Sequence, residues 1–282
     1  MPLVTLKDLL IDADRKKYAI PAFNIDNLEI IQAILEVAEE EKAPVILSVG
    51  QGAIVNGKHE YLAAIVKLFV SRSRLPIALH LDHGKSYAQA IQCIKAGFSS
   101  VMIDGSSLPL HENITLTRKV VEASHAVGVS VEAELGKIAG TEDDLSLEER
   151  GTSLTSVAET VTFINEVPVD ALAVSIGSAH GMYKGEPQLD FARLKEIDSA
   201  ISVPLVLHGG SGIPDPMVRE AISLGINKIN VATELRLAFI KGITAAVNGQ
   251  TDIYRILNAG CLEVKEIVRN KIRLFGANLK SL

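Results

Sequence analysis

Three histidines stand where apolar, β-rich stretches of the sequence give way to glycine. His83, His180 and His208 follow the segments PIALHLD, ALAVSIGSA and PLVL, and each directly precedes a glycine. A strand is expected to end and a loop to begin at such positions. Three neutral imidazoles around Zn²⁺ leave the fourth coordination position open, which is typical of a catalytic zinc site. One histidine of this kind is better explained as a hydrogen-bonded structural residue, but three together favour a metal site.

Polar residues end the other apolar runs as well. In chain order they are Asn24, Ser48, Asp82, Asp104, Glu134, Ser211, Asn230 and Thr233. Asp104 and Glu134 could bind at a second metal position or orient the histidines through hydrogen bonds. His80 lies two residues before Asp82 on the same side of the strand, so we expect it to support the site rather than to bind metal.

Two segments of small residues could bind phosphate through backbone N–H groups. Their residues are Gly209, Gly210 and Ser211 in HGGSGIPD and Val231, Ala232 and Thr233 in INVATE. HGGSG alone could be a simple tight turn, but the two segments together favour a phosphate site. Lys184 and Arg236 could add positive charge there, although either could equally lie on the surface.

These residues can meet only on a scaffold that brings distant strand ends together. Eight β-branched or apolar segments alternate with helical patterns in which apolar residues recur every three or four positions. The predicted strands cover residues 18–25, 43–50, 75–82, 99–104, 128–135, 170–177, 203–209 and 226–233. Eight β-then-α units predict one (β/α)8 TIM barrel domain over residues 1–282, in which the strand ends share one pocket. A doubly wound open sheet is the alternative, but it needs a glycine-rich turn after the first strand, where this chain has AFNIDN.

Two further segments are longer than eight such units require. The stretch from Lys241 onward predicts additional C-terminal helices, which could pack outside the barrel or reach a partner subunit. The hydrophilic segment 140–156 follows the fifth strand and predicts a mobile active-site loop, with a solvated surface loop as the alternative.

Composition argues against several classes of partner. The 282-residue chain has a net charge of −6, which provides no long basic face for nucleic acid. Its N-terminus lacks the pattern of a secretory signal, and no apolar stretch is long enough to span a bilayer. The two cysteines, Cys93 and Cys261, lie far apart in helix-like segments and are expected to be packing residues. We therefore expect a cytoplasmic protein that binds neither nucleic acid nor membrane.

The combined motifs resemble those of the class II metal-dependent ketose-bisphosphate aldolases, which include fructose- and tagatose-1,6-bisphosphate aldolases. The resemblance covers essentially the whole chain and is carried by AIPAFNIDN, HLDHGKS, VMIDGS, VEAELGKIAGTEDD, IGSAHGMYKGEP, LVLHGGSGIP, INVATELRLAF and EIVRNKIRLFG. It implies a zinc-dependent aldehyde-lyase, a homodimer or homotetramer, that reversibly cleaves fructose or tagatose 1,6-bisphosphate. The implied products are dihydroxyacetone phosphate and glyceraldehyde 3-phosphate.

The resemblance also implies roles for individual residues. The implied metal-binding residues are the zinc ligands His83, His180 and His208, with Asp104 and Glu134 near a second metal position. Asp82 resembles the acid that protonates the oxygen at C4 during condensation and removes that proton during cleavage. Glu142, on the long loop, resembles the base that takes a proton from the hydroxymethyl carbon of dihydroxyacetone phosphate.

A pocket for dihydroxyacetone phosphate is implied as well. Its residues would be Asn24, Ser48, Gly181, Lys184, Gly209, Gly210, Ser211, Asn230, Ala232 and Thr233. Three of them, Gly181, Gly209 and Ser211, match positions that bind a monovalent cation, Na⁺ or K⁺, beside the phosphate in several members. Arg236 resembles a residue that reaches the distal C6 phosphate, within the subunit or across a subunit boundary.

The sequence departs from the family pattern at the aldehyde half of the site. Ser107 stands where fructose-bisphosphate members often have histidine, and Tyr254 stands where arginine is often found. An aldolase for a phosphorylated deoxyketo sugar acid is therefore an open alternative. A metal-dependent phosphoesterase is another, although the His-x-His pair that it needs on the first strand is missing. A non-catalytic barrel that stabilises another aldolase subunit should have lost a ligand or the acid, and this chain keeps them.

Overall fold

Eight parallel strands close into a barrel in the order in which they occur in the chain. The computed structural model describes residues 3–138, 140, 153–183 and 185–280. The strands are β1 (Ile20–Asn24), β2 (Val45–Val49), β3 (Ile77–Gly84), β4 (Ser100–Ile103), β5 (Ser130–Leu135), β6 (Ala171–Val174), β7 (Leu205–Leu207) and β8 (Ile226–Val231). Each strand pairs with its sequence neighbours, and β1 pairs with β8 to close the ring. The predicted (β/α)8 barrel is confirmed.

Helices surround the barrel and connect successive strands. They are α1 (Leu6–Lys16), α2 (Leu28–Glu41), α3 (Gln51–Val55), α4 (His59–Val70), α5 (Tyr87–Ala96), α6 (Leu110–His125), α7 (Val157–Glu166), α8 (Phe191–Ala200), α9 (Asp215–Ser223), α10 (Thr233–Ala246) and α11 (Ile253–Leu274). Polar side chains cap several of them: Asn27 before α2 and Ser86 before α5 each accept a hydrogen bond from the backbone amide three residues on. Such caps satisfy amides that have no partner within the helix.

Helix α1 seals the N-terminal end of the barrel. Thr5 and Asp8 form a capping box at its start, and Leu6 and Leu10 are fully buried. The helix contacts β1, β3, β5, β6 and β8, and the amide of Lys7 donates to the hydroxyl of Ser130 at the start of β5. The polar residues predicted for the site lie at the opposite end, where the strands finish.

The predicted C-terminal helices pack outside the barrel, with α11 against α10 and α2. The two helices α10 and α11 approach closely at Gly242, where a Cβ would overlap the carbonyl oxygen of Ala259. Arg269 of α11 donates to Glu40 of α2 at 2.6 Å. Because α2 follows β1, these contacts fix the chain end to the first unit of the barrel.

Candidate active site

The end of β3 carries two adjacent site residues. In a regular strand, Asp82 and His83 would point to opposite faces of the sheet. The pairing of β3 with β4 instead shifts register between Leu81 and Gly84, and His83 has a φ of 50°. This left-handed conformation is uncommon for residues other than glycine, and bulges of this kind re-aim side chains. Asp82 and His83 therefore both lie beside His208, with Oδ1 of Asp82 3.9 Å from Nδ1 of His208.

The structure brings the three predicted histidines together. The ring centroid of His83 lies 4.4 Å from that of His208 and 4.9 Å from that of His180. The rings of His180 and His208 are 6.0 Å apart. One ligand nitrogen from each ring lies within 4.8 Å of the others. His180 lies in the loop after β6 rather than at the strand end itself, but this loop places it at the same end of the barrel as His83 and His208.

One nitrogen of His208 has a partner and the other has none. Nε2 lies 2.8 Å from Oε1 of Glu132, whereas the buried Nδ1 has no hydrogen-bond partner among the described residues. Buried polar atoms in folded proteins are nearly always paired, so this atom indicates a missing ligand. Burial, and then the neighbouring His83, lower the pKa of His208 and keep the ring in its neutral, metal-binding form. The donor set therefore fits an ion such as Zn²⁺.

Asp104 and Glu134 lie beside His83. Its Nδ1 is 3.4 Å from Oδ2 of Asp104 and 3.6 Å from Oε2 of Glu134, and the three residues form a second group that could hold a metal. Burial raises the pKa of Asp104, but the hydrogen bond and charge of His83 and the hydrogen bonds of Ser106 outweigh it and hold the pKa below its usual value. Burial, and then the charge of Asp104, raise the pKa of Glu134 well above its usual value. Glu134 therefore holds its proton more tightly than Asp104 does, and a second cation between them would favour the ionised form of both.

Asp82 is buried and hydrogen-bonded on both carboxyl oxygens. Nδ2 of Asn24 donates to Oδ2, and Nδ2 of Asn230 donates to Oδ1, each at 2.9 Å. Strands β1, β3 and β8 therefore hold one carboxyl group beside the histidine cluster. Ser48, on β2 next to Asn24, is also fully buried. The arrangement presents a fixed proton-transfer group at the metal cluster.

The segments after β7 and β8 form one hydrogen-bonded unit. The hydroxyl of Ser211 accepts hydrogen bonds from the amides of Ala232, at 3.3 Å, and Glu234, at 3.4 Å. The amide of Gly210 donates to the carbonyl of Asn230 at 3.0 Å. The predicted phosphate residues of the two segments are thus neighbours.

Helix α10 begins within this unit. Val231 ends β8, Ala232 precedes the helix and Thr233 is its first residue. The first amides of a helix have no partner within it and favour anions. The amides of Glu234, Leu235 and Arg236 are paired within this unit, so Thr233 carries the helix amide that could donate to a phosphate group.

The loop that carries His180 is fastened to the loop after β7. The hydroxyl of Tyr183 accepts from the amide of Ala179 at 2.9 Å and donates to the carbonyl of Gly209 at 3.0 Å. Gly209 has a φ of 69°, and a Cβ there would overlap the carbonyl of Ala179. Gly140 packs equally closely on the carbonyl of His180. The loop that carries His180 and the loop after β7 are therefore held in close contact.

The remaining predicted site residues fall into two groups. Gly181, with a φ of 90°, directly follows His180, and Arg236 of α10 forms an ion pair with Asp26, Nε to Oδ2, at 2.7 Å. Asp26 follows β1, so the guanidinium is held at the same end of the barrel as the segments after β7 and β8. Glu142 and Lys184 lie outside the described residues, as does the segment 141–152.

Two buried charged residues at the site are missing from the sequence prediction. Glu132 of β5 and Lys228 of β8 form a fully buried ion pair at 2.6 Å, and Glu132 also contacts His208. A signal for both is present in the sequence. Each interrupts an apolar strand two residues before a predicted site residue, Glu134 or Asn230, and residues two apart on a strand share a side.

Gln51 also supports the site and was not predicted. Its Nε2 donates to the carbonyl of His83 at 2.8 Å, and its Oε1 accepts from Gln89 at 3.1 Å. These bonds steady the strained backbone of His83. No sequence pattern singles out Gln51, because it opens a helix of only five residues.

The chain is similar to known proteins over nearly its whole length. The profile of class II fructose-bisphosphate aldolases matches residues 4–280. A sulfofructosephosphate aldolase from Alkalicoccus urumqiensis is 42% identical over 284 residues, which cover 100% of this chain and 99% of that protein. The crystal structure of the YdjI aldolase from Escherichia coli K12 is 36% identical with a TM-score of 0.89, covering 99% of this chain and 100% of that one.

A more distant structure shows the same fold. The fructose-bisphosphate aldolase from Campylobacter jejuni is 22% identical with a TM-score of 0.81, covering 99% of this chain and 97% of that one. In the part of the chain that is described, no helix is both long and apolar enough to cross a membrane. From the profile match and the identity to its relatives, the chain belongs to the class II fructose-bisphosphate aldolase family.

Proposed function

We propose that the protein is a zinc-dependent aldolase that reversibly cleaves fructose or tagatose 1,6-bisphosphate to dihydroxyacetone phosphate and glyceraldehyde 3-phosphate. As a member of its family it is an aldehyde-lyase that acts on small sugar phosphates. The observation that carries the proposal is the convergence of His83, His180 and His208 beside the fixed carboxyl group of Asp82.

Three histidines would hold the catalytic zinc, and a second divalent ion would lie between His83, Asp104 and Glu134. When bound, the zinc supplies a Lewis acid that stabilises negative charge on the ketone oxygen, worth several kcal/mol. A lysine Schiff base is then unnecessary. Lys228, which lies inside the barrel, is fully buried in its ion pair with Glu132 and is poorly placed to attack a ketone.

Two acids would move the protons. In cleavage, the carboxylate of Asp82 takes the proton of the C4 hydroxyl, the C3–C4 bond breaks and the C4 half leaves as an aldehyde. Glu142 then returns a proton to C3 to complete dihydroxyacetone phosphate. In condensation both transfers reverse. Asn24 and Asn230 support the first transfer because they fix both oxygens of Asp82.

The C1 phosphate would lie in the unit formed by the loop after β7 and the start of α10. We assign to it Gly209, Gly210, Ser211, Val231, Ala232 and Thr233, with Asn24, Ser48, Gly181, Lys184 and Asn230 around the rest of the dihydroxyacetone half. A Na⁺ or K⁺ ion at Gly181, Gly209 and Ser211 would offset the phosphate charge. The close packing of Gly209 on Ala179 supports this arrangement because it sets the loop after β7 against the loop that carries His180.

A second candidate substrate differs at the distal end. The relative named sulfofructosephosphate aldolase supports a ketose 1-phosphate that carries a sulfonate at C6. A sulfonate bears about one negative charge, less than a phosphate at neutral pH. Arg236, our candidate for the distal anion, is already paired with Asp26 at 2.7 Å, which leaves less positive charge for that anion. This pairing therefore favours a substrate whose C6 group carries the smaller negative charge, the sulfonate.

Cleavage rates on three substrates test the proposal. Dihydroxyacetone phosphate release is measured by a coupled dehydrogenase for fructose 1,6-bisphosphate, tagatose 1,6-bisphosphate and 6-deoxy-6-sulfofructose 1-phosphate. The highest kcat/KM on a bisphosphate supports the first candidate, and the highest value on the sulfonate replaces it with the second. Release from none of the three contradicts both.

A further inference from the structure

A buried network of polar side chains crosses the barrel beneath the histidine cluster. Nε2 of His208 lies 2.8 Å from Oε1 of Glu132, whose Oε2 lies 2.6 Å from Nζ of Lys228. Nζ of Lys228 is 3.4 Å from Nε2 of His80, and Nδ1 of His80 is 2.8 Å from the hydroxyl of Ser100. All five side chains are fully buried. Four of them lie on different strands, β3, β4, β5 and β8, and His208 directly follows β7, so the network forms only when the barrel closes.

Stability alone does not account for this buried polar network. Barrel interiors of this fold are usually filled by branched apolar side chains, and burying two ions costs much of what their attraction returns. Apolar residues of similar volume could replace the pair of Glu132 and Lys228 with no loss of stability. The contact of Glu132 with one ring nitrogen of His208 points to a role in the site instead.

We propose that Glu132, held by Lys228, fixes His208 with its proton on Nε2 and so presents Nδ1 to the metal. This inference rests on the proposed function, because it takes His208 as a metal ligand. A carboxylate only accepts hydrogen bonds, so the neutral ring that faces it must carry its single proton on Nε2. Nδ1 then holds the lone pair, at the atom that is buried, lacks a hydrogen-bond partner among the described residues and lies 3.9 Å from Asp82.

Lys228 sets the position of Glu132 in turn. It binds the second carboxylate oxygen, so Glu132 cannot rotate away from His208. Both are positioning residues, since they act on the metal through His208. Partners of this kind typically change metal affinity about 10- to 100-fold when they are removed.

Two matched double variants separate the hydrogen bond from the charge. Glu132→Gln with Lys228→Met keeps an acceptor for His208, whereas Glu132→Leu with Lys228→Met removes it, and neither leaves a buried charge unpaired. Zinc affinity is measured by competition with a chelator. We expect the leucine variant to bind zinc about 10- to 100-fold more weakly than the glutamine variant, because both lack Lys228 and only the glutamine variant keeps an acceptor for His208. Equal affinities of the two double variants would overturn the inference.

The tautomer of His208 is a second readout, and it is measured on the wild-type protein. Long-range ¹H–¹⁵N NMR of the metal-free, histidine-labelled wild type reports which nitrogen carries the proton, and His208→Gln identifies the signal. We expect the proton on Nε2, and a proton on Nδ1 refutes the inference. If the wild type binds no metal, or cleaves its substrate without metal, the proposed function fails. If the wild type needs metal but the two double variants bind zinc equally well, the inference about Glu132 fails and the proposed function stands.

Discussion

The side-chain amide of Asn230 donates a hydrogen bond of 2.9 Å to Oδ1 of Asp82, 148 residues earlier in the chain. Asn24 holds the other oxygen at the same distance. The carboxyl group is therefore oriented by two amides, and its Oδ1 lies 3.9 Å from Nδ1 of His208. Such a group can transfer protons without being needed to bind the metal.

The variant Asp82→Asn should lose catalytic turnover but keep its bound metal. The side chain keeps its size, and both asparagines can turn their amides to match it, so the fold and the histidines should persist. We expect kcat to fall about 100- to 10,000-fold, the usual contribution of general acid–base catalysis. Zinc content by elemental analysis should equal that of wild type, with Asp14→Asn on the surface of α1 as the control. Loss of zinc together with activity would identify Asp82 as a ligand.

Gly209→Ala should weaken metal binding through the backbone. The residue has a φ of 69° and its Cβ would overlap the carbonyl of Ala179, next to His180. Gly249 is a matched control, with a φ of 67° and open space around it. Both variants carry the strain of a left-handed backbone conformation, about 1–2 kcal/mol, but only Gly209→Ala should displace the loop that carries His180.

Zinc affinity and the denaturation midpoint are measured for both glycine variants. We expect Gly209→Ala to lose about tenfold or more in zinc affinity, as for other residues that orient ligands, and Gly249→Ala to keep wild-type affinity. Equal zinc affinity in the two variants would show that the loop contact does not position His180.

Glu134→Gln should change how the stability of the metal-free protein depends on pH. Burial, and then Asp104, raise the folded-state pKa of Glu134 well above the ordinary 4.5. Between these two pKa values the folded state binds more protons than the unfolded state, so the free energy of unfolding falls as pH rises, by at most about 1.4 kcal/mol per pH unit. The variant has no proton to lose, so its decline should be smaller.

Urea denaturation midpoints at pH 5 and pH 8 check this prediction. Glu122→Gln, at an exposed position of α6, is the control and should follow the wild type. If Glu134→Gln loses as much stability between the two pH values as the wild type does, the pKa of Glu134 is not raised in the folded state.

Arg236→Gln should act only on substrates with an anion at C6. A hydrogen bond to a charged group contributes about 1.5–3 kcal/mol, so we expect kcat/KM for the preferred C6-anionic substrate to fall about 10- to 100-fold. Cleavage of fructose 1-phosphate, which lacks that anion, should change little. Arg118→Gln on α6 serves as the control. An equal loss on fructose 1-phosphate would place Arg236 at the common half of the substrate or in the structure alone.

Much of the fold and the histidine cluster could be predicted because both follow from short-range patterns. Each strand of the barrel is an apolar run between helical patterns, and parallel strands in a ring place their ends at one mouth. His83, His180 and His208 therefore meet although the sequence separates them widely. The polar residues at the ends of β1, β3 and β8 meet for the same reason, in the hydrogen bonds of Asp82.

The rest depends on tertiary contacts that no local pattern encodes. The positive φ of His83 arises from the register shift of β3 on β4, which also turns adjacent residues toward one site. The bond between Glu132 and Lys228 joins residues 96 positions apart and needs a closed barrel. Glu142, the single domain, the oligomeric state and the cytoplasmic location stay predictions.

The most direct measurement is cleavage by one preparation before and after zinc removal. Dihydroxyacetone phosphate release from the preferred ketose 1-phosphate is followed in the wild type, the chelator-treated protein and the same protein with zinc restored, with bound zinc measured in each. We predict that activity disappears with the zinc, that it returns when zinc is restored, and that borohydride with substrate traps no covalent adduct. Full activity after complete zinc removal, or a borohydride-trapped adduct at Lys228, would contradict a zinc-dependent aldolase built on the three histidines.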